Sequence, residues 1–227
     1  MKKITQLAFV VFLLVSASGN INAQENARLV GQGKIVFDIS YPNNKLDEQS
    51  LALLPSESVV YFKGNMSRVE TRMGIGTTVI ITDHKLGEST TLMDVLGNKT
   101  AVNMSKGEAQ AQRTSNNKPV VQLTNDTKTI LGYDCKKAVV TFKGESGDLT
   151  SDVWYTNELM ARNSFVNEID GIDGFMLEFT TEQNGMAIKM VAKTIQEVPV
   201  EDTQFVTPEG YTQMTQEQVK QLYTGGK

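Results

Sequence analysis

The stretch FMLEFTTEQNGMAIKMVAKTIQEV, residues 175–198, contains the strongest folding signal in the sequence. Two apolar-rich segments flank the pair Asn184-Gly185, and each places its large apolar residues at a spacing of two, which is typical of a β-strand with one buried face. An Asn-Gly pair between two such segments predicts a type I′ turn, since these residues tolerate the positive φ that the turn requires. We therefore predict an antiparallel hairpin with strands at 175–183 and 186–198.

Outward from this hairpin, short alternating segments separated by turns continue toward both ends of the chain and predict further antiparallel strands. We place these strands at Gly33–Tyr41, Ser58–Lys63, Met66–Met73, Thr77–Thr82, Ser89–Val95, Lys99–Met104, Tyr133–Lys143 and Leu149–Tyr155. Residues 105–118 are polar and are interpreted as a loop.

Helices are few in this pattern. A short one is predicted at Asp47–Leu54, stopped by Pro55, and a second at Met214–Thr224, where Thr215 and Gln218 have the spacing of a capping box. A long open sheet tends to curl. The predicted fold class is therefore α+β and mostly β, with a curved antiparallel half-barrel wrapped around a few short helices.

The first 23 residues have the layout of a secretory signal peptide. Lys2 and Lys3 precede the apolar run Leu7–Val15, and small and polar residues follow up to Ala23, after which we expect cleavage. The apolar run is far shorter than the ~20 residues that a membrane-spanning helix needs. We expect an exported, periplasmic or secreted protein, with a single domain at 24–227 and no transmembrane segment in the mature chain.

The composition limits the classes of partner. The chain has 22 basic and 26 acidic residues, and removing Lys2 and Lys3 leaves 20 against 26, a net charge of −6. With no basic cluster, this acidity gives no support for nucleic acid as a partner. Apolar residues make up 40% of the chain, which is enough for a core in one domain of this length.

The chain has one cysteine, Cys135, and one histidine, His84. A cysteine-type metal site needs several thiolates or histidines at close spacing, so no metal or other cofactor is expected. A Cys/His catalytic pair is formally open, but we interpret Cys135 as a small core residue on a strand. Asp170 and Asp173 lie among glycines without the full calcium-loop pattern and are interpreted as part of a connecting loop.

The apolar strand faces have two interpretations. They line a cavity for an apolar ligand, or they only pack against one another in the core. Methionine is flexible and is over-used on adaptable binding surfaces, and nine methionines follow the initiator. The candidate cavity residues are Phe37, Val69, Phe142, Phe175, Leu177, Phe179, Ile188 and Met190. Alternation places neighbours within each strand on one face, but it does not show that the faces of different strands meet.

Four segments resemble, in order, exported proteins of Bacteroidota that carry a domain of unknown function akin to the GLPGLI family: Asp126–Phe142, Val153–Leu159, Gly171–Phe179 and Phe205–Met214. The motif that names this family aligns with Gly171-Ile172-Asp173-Gly174-Phe175-Met176, in which both glycines are kept and Asp173 replaces the proline. The resemblance covers roughly residues 35–214.

The resemblance implies an architecture similar to the periplasmic lipoprotein carriers LolA and LolB, in which a curved sheet encloses an apolar cavity for acyl chains. It implies no reactive thiol at Cys135. We expect a non-catalytic binder or carrier of a lipid, lipoprotein acyl chain or other apolar ligand. The alternative is a cell-envelope interaction or structural module with a filled core, which would bind an envelope protein, and an enzyme is a third interpretation.

Overall fold

The computed structural model describes residues 29–42, 44–108, 119–143, 147–159, 169–183, 186–218 and 221. The predicted signal peptide and its cleavage position after Ala23 lie outside these residues.

The described chain forms one twelve-stranded sheet that is curved and does not close. Its strands follow the order β12-β6-β5-β4-β3-β2-β1-β11-β10-β9-β8-β7. All neighbours from β6 to β7 are antiparallel, and β12 is parallel to β6. The strands are β1 Gln32–Ser40, β2 Glu57–Lys63, β3 Met66–Met73, β4 Gly76–Asp83, β5 Glu88–Val95, β6 Asn98–Met104, β7 Val120–Ile130, β8 Tyr133–Phe142, β9 Leu149–Thr156, β10 Phe175–Gln183, β11 Met186–Gln196 and β12 Thr212–Gln213.

The predicted hairpin is present as β10 and β11. Gln183 pairs with Met186, so two residues connect the strands, as an Asn-Gly turn requires. The turn residues themselves lie outside the described chain. β11 ends at Gln196, two residues before the predicted limit.

The predicted fold class is confirmed, since the protein is mostly β with a curved antiparallel sheet and a few short helices. Two strands were not predicted from the sequence. β7 is an edge strand whose side chains are largely exposed on both faces, so it lacks apolar alternation. β12 has only two residues, and its position depends on pairing with the distant strand β6.

The inner face of the sheet carries the main apolar cluster. Phe37 and Ile35 from β1, Val60 and Phe62 from β2, and Phe175 from β10 are fully buried in it. These strands are widely separated along the chain but adjacent in the sheet, because β1 pairs with both β2 and β11. The position of β1 between β2 and β11 therefore joins residues from distant parts of the chain into one continuous core.

A second apolar cluster lies on the outer face, over β3–β6. It consists of Val79, Ile81, Leu92 and Ala101. The segment 197–214, here called the C-terminal cover, crosses this face and includes a 3₁₀ helix, Asp202–Phe205. Phe205 and Tyr211 of the cover pack on the cluster, and β12 then pairs with β6.

Polar contacts hold the C-terminal cover along its path. Val200 N–H donates to Gln32 Oε1 at 3.2 Å, and Lys63 Nζ lies 2.7 Å from Asp202 Oδ1. Arg68 Nη1 donates to the Gln204 carbonyl at 3.3 Å. The cover is thus attached to β1, β2 and β3 before it reaches β6.

The short helix α1, Glu48–Ala52, confirms the first predicted helix. Ser50 N–H donates to Asp47 Oδ1 at 2.7 Å, which caps its first turn. At the chain's end the predicted capping box is present, since Gln218 N–H donates to Thr215 Oγ1 at 3.2 Å and Thr215 N–H donates to Gln218 Oε1 at 2.8 Å. The remainder of that helix, with its predicted apolar stripe, lies mainly outside the described residues.

Candidate functional site

The structure brings all eight candidate cavity residues to the inner apolar cluster. Six are buried and belong to it directly: Phe37, Val69, Phe175, Leu177, Phe179 and Met190. Phe142 and Ile188 are half-buried and pack against it. The sequence could not show that the faces of β1, β3, β8, β10 and β11 meet, and the sheet order now shows that they do.

Aromatic rings form the centre of this cluster. Phe37 lies 6.2 Å, between ring centroids, from both Phe175 and Phe179, stacked on the first ring and edge-on to the second. Phe62, which was not among the candidates, lies 6.5 Å from Phe175. Aromatic pairs at these distances stabilise a core beyond the effect of area burial alone.

A register shift in β10 adapts this strand to the cluster. The pairing with β9 shifts between Met176 and Glu178, so Met176 and Leu177 are both buried although they are consecutive. Simple alternation would have placed Met176 on the outer face. The shift increases the number of apolar side chains that β10 contributes to the inner cluster.

Three half-buried residues of the inner face lie together at one end of the sheet. Phe142 is the last residue of β8, Ile188 is near the start of β11, and Ile39 is near the end of β1. Because these strands alternate in direction, all three positions lie at the same end. At this end the inner face is partly accessible through these three side chains, and Ile130 and Ile195 are half-buried at the opposite end.

A pocket of about 390 Å³ lies on the outer face, over β9–β11. Its size falls in the range of small-molecule sites, which is about 300–1,000 Å³. Charged and hydroxyl side chains line it, including those of Thr150, Asp152, Glu178, Thr180 and Lys189, together with the aromatic residues Trp154 and Phe179 and a few aliphatic ones. It is therefore mainly a polar pocket, and of the eight residues predicted to line an apolar cavity only Phe179 belongs to it.

The charges beside this pocket are paired across five strands, β7 to β11. Lys128 Nζ lies 4.2 Å from the ring centroid of Trp154 and 2.7 Å from Glu178 Oε2. Lys189 Nζ lies 3.4 Å from Glu178 Oε1, and Lys137 Nζ lies 2.8 Å from Asp152 Oδ2. Burial alone would raise the pKa of Glu178, but the hydrogen bond from Lys128 and the charges of Lys128 and Lys189 lower it. Glu178 is therefore ionised at neutral pH and is a poor general acid.

Cys135 is buried and has a separate environment from His84. Its Sγ lies 3.6 Å from the Tyr133 carbonyl, and burial raises the pKa of the thiol to about 11. His84 Nε2 lies 2.8 Å from Ser67 Oγ. Ser67 is fully buried, so its hydroxyl is not accessible to a substrate. The thiol is protonated at neutral pH, which makes it a weak nucleophile.

The outer pocket was missed by sequence reasoning. Asp152 and Trp154 alternate with buried residues of β9, and Glu178 follows the register shift in β10. Only Trp154, as the single tryptophan of the chain, stood out by composition. Its neighbours come from strands that are far apart in sequence, so no local motif could have grouped them.

Within the described residues there is no group of three or more His, Cys, Asp or Glu side chains that could hold a metal ion. Asp170 and Asp173 belong to a connecting segment before β10, where Ile169 is buried. In the same part of the chain, no helix is both long and apolar enough to cross a membrane.

Among solved structures, the chain is similar to that of PNGF-II, with a TM-score of 0.55 and 17% identity over 86% of this chain. The chain spans only 33% of PNGF-II. The lipoprotein LppX of Mycobacterium tuberculosis has a TM-score of 0.38 at 13% identity, covering 76% of this chain and 89% of LppX. LprF of Mycobacterium bovis has a TM-score of 0.33 at 12% identity, covering 75% of this chain and 88% of LprF. The first likeness concerns the fold alone, and the other two are too distant to support any statement about this chain.

No curated protein matches the sequence. A family model described as the N-glycanase peptide, N-terminal domain, matches residues 88–218, which are 131 of the 227 residues. The predicted relation to the GLPGLI-type proteins of Bacteroidota stays a prediction. Because the match covers more than half of the sequence, this chain belongs to the family of the N-glycanase peptide, N-terminal domain.

Proposed function

We propose that this chain is an exported, non-catalytic binding domain whose inner sheet face takes an acyl chain or another apolar ligand. The observation that carries the proposal is the convergence of the eight candidate residues. They come from five strands and form one continuous apolar face on a sheet that does not close. An unclosed sheet can admit a ligand at its end without breaking the pairing of its strands.

Burial of the ligand would supply the affinity. Each CH₂ group that leaves water contributes about 0.8 kcal/mol, before the costs of association are subtracted. The half-buried residues Ile39, Phe142 and Ile188 are the proposed entrance, since they join the buried face to solvent. Export is supported by the N-terminal sequence pattern, and N-terminal sequencing of protein isolated from the cell envelope would test it.

The N-glycanase activity in the family's name is not proposed for this chain. The chain spans a third of PNGF-II, so an activity of that whole protein does not transfer to it. The acidic side chains of the outer pocket are held by lysines, and the lowered pKa of Glu178 favours a structural ion pair over proton transfer.

The test is titration of the delipidated protein with a fluorescent fatty acid. We expect saturable binding at micromolar concentrations and a loss of about tenfold in Ile188→Gln, because a polar group then enters the apolar face. Met66→Gln is the control, since Met66 is a half-buried apolar residue that packs on the outer cluster. Absence of saturable binding, or equal losses in both variants, would contradict the proposal.

A second candidate is an interaction module whose interior is filled by its own side chains. The direct contacts of Phe37 with Phe175 and Phe179 favour it, because these rings already occupy the space between their strands. Protein that binds no fatty acid, and that carries no apolar ligand in native mass spectrometry after purification from its own envelope, would favour this candidate.

A further inference from the structure

Three aliphatic side chains project into solvent at one end of the sheet. Leu53 follows α1, Ile75 lies between β3 and β4, and Leu96 lies between β5 and β6, with exposed fractions of 56%, 51% and 82%. Because β1, β3 and β5 run in the same direction, these three connections lie at the same end. We refer to Leu53, Ile75 and Leu96 as the apolar rim.

The turns of the apolar rim are connected through their backbones. Gly74 N–H donates to the Leu53 carbonyl at 3.2 Å, and Leu96 N–H donates to the Ile75 carbonyl at 3.1 Å. Gly97 N–H donates to Asp94 Oδ1 at 3.2 Å. The three turns are therefore neighbours, and these donors are satisfied without water.

The conformation of Leu96 is unfavourable for its side chain. Leu96 has φ of 52° and Gly97 has φ of 86°. Both values are left-handed, a combination that the two central residues of a hairpin turn usually adopt when they are Asn and Gly. Leucine is disfavoured in this region, and burial does not compensate, because most of the side chain is in water. Neither the turn conformation nor packing in the core of this domain explains why position 96 is a leucine.

We propose that the apolar rim inserts into the interfacial region of a lipid bilayer. Its members are aliphatic and sit at turn tips, a convex arrangement that a bilayer accepts without shape complementarity. A standard protein interface involves about 20–30 residues on each side and is anchored by Trp, Tyr or Arg. Three aliphatic tips are too few for such an interface or for a stable dimer of this chain. The satisfied turn donors reduce the cost of entering an apolar medium.

The charged residues around the apolar rim form no basic cluster. Those in or next to its three connections are Lys45, Arg72 and Lys99 together with Asp47, Glu48, Glu57 and Asp94. Insertion would then depend on apolar burial and not on attraction to anionic lipids, which requires a basic cluster. Vesicles of neutral and of anionic composition should therefore bind the protein equally.

The apolar rim lies at the same end of the sheet as the half-buried inner residues Ile39, Phe142 and Ile188. A bilayer at the rim would thus face the proposed entrance for an acyl chain. This link rests on the proposed function, whereas contact of the rim with a bilayer does not.

The test is flotation of the chain without its predicted signal peptide, residues 24–227, with phosphatidylcholine vesicles, and with vesicles in which phosphatidylglycerol replaces part of that lipid. Leu96→Asn removes the aliphatic side chain and suits the left-handed backbone, so the fold should be kept. Leu131→Asn is the matched control, because Leu131 has φ of 51°, precedes Gly132 and is 48% exposed. It lies at the opposite end of the sheet, since β7 runs opposite to β5.

We expect wild type and Leu131→Asn to float equally with both kinds of vesicle, and Leu96→Asn to bind about tenfold more weakly, as loss of one buried leucine predicts. Fatty-acid affinity in solution should be unchanged in Leu96→Asn, which separates this proposal from that of the inner face. The proposal is overturned by absence of flotation at millimolar lipid, by equal losses in the two variants, or by binding only to anionic vesicles. A concentration-dependent dimer that Leu96→Asn abolishes would also overturn it.

Discussion

The outer face over β3–β6 and the outer face over β8–β11 belong to the same sheet but carry different chemistry. The first is apolar around Leu92 and is covered by the chain's own C-terminal residues. The second carries Trp154 within a set of lysine–carboxylate pairs and remains open as a pocket. We refer to them as the covered half and the open half.

The difference shows two ways in which the outer face of one sheet can be stable, either covered by the chain itself or exposed to water. An apolar face must be removed from water, and the C-terminal cover does this with Phe205 and Tyr211. A face of paired charges can stay in water, since exposed ion pairs cost little to solvate. The covered half should therefore depend on packing, and the open half on pH and salt.

The largest effect is expected for Phe205→Ala in the covered half. Phe205 is half-buried on the outer cluster, so its removal should cost about 2 kcal/mol, less than for a fully buried ring. Urea unfolding would measure the loss, which should be the same at 0.05 and 1 M salt. Val206→Ala is the control, because Val206 is 56% exposed and should change the free energy of unfolding by less than about 0.5 kcal/mol. Equal effects of the two substitutions would mean that the cover does not stabilise the sheet.

A smaller effect is expected for Cys135→Ala, on the inner side of the open half. The cavity should cost about 1 kcal/mol at pH 7. Burial raises the pKa of this thiol from the ordinary value of 9.0 to about 11. Its contribution to stability is thus fully present below pH 9 and is lost as pH rises from 9 through 11.

Urea unfolding of wild type and Cys135→Ala at several values from pH 7.5 to 10.5 would test this titration. The gap between the two proteins should narrow above pH 9, because only wild type has the thiol to ionise on unfolding. If the free energies of unfolding of the two proteins keep a constant difference over this range, the thiol does not contribute to the loss of stability at alkaline pH.

The smallest effect is expected for Glu178→Gln in the open half. The pairs with Lys128 and Lys189 are partly exposed, so the loss should be about 0.5–1 kcal/mol at pH 7. The pKa of Glu178 is lowered in the folded protein, so its contribution is present above the unfolded pKa of about 4.5 and is lost as pH falls through the folded value. Salt at 1 M should also reduce it, since screening then acts over about 3 Å.

Thermal unfolding between pH 3 and 7 would measure the Glu178→Gln effect, with Asp38→Asn as the control. Asp38 pairs with Lys193 at 3.0 Å, but its side chain is 58% exposed. Asp38→Asn should therefore leave the free energy of unfolding almost unchanged. A Glu178→Gln deficit that persists at pH 3 would assign the effect to packing instead of charge.

Local patterns predicted most of the strands because each of them has one clear buried face. Gln32–Ser40 and Met66–Met73 were recognised by alternation to within one residue of their ends. β7 was missed because an edge strand with solvent on both faces has no reason to alternate. The eight candidate residues lie in or against one apolar cluster, and their use by a ligand stays a prediction.

The sequence by itself determined ten of the twelve described strands, the short α1 helix and the capping box at Thr215, because each depends on side chains within a few residues of one another. Only the tertiary structure decided that β1 joins β2 to β11, that residues 197–214 cover one half of the outer face, and that Lys128 reaches Glu178 across the ring of Trp154. Apart from the pairing of β1 with β2, these contacts join residues 50 or more positions apart. Their stability comes from burial and charge pairing that exist only once the sheet has curved and brought these residues together.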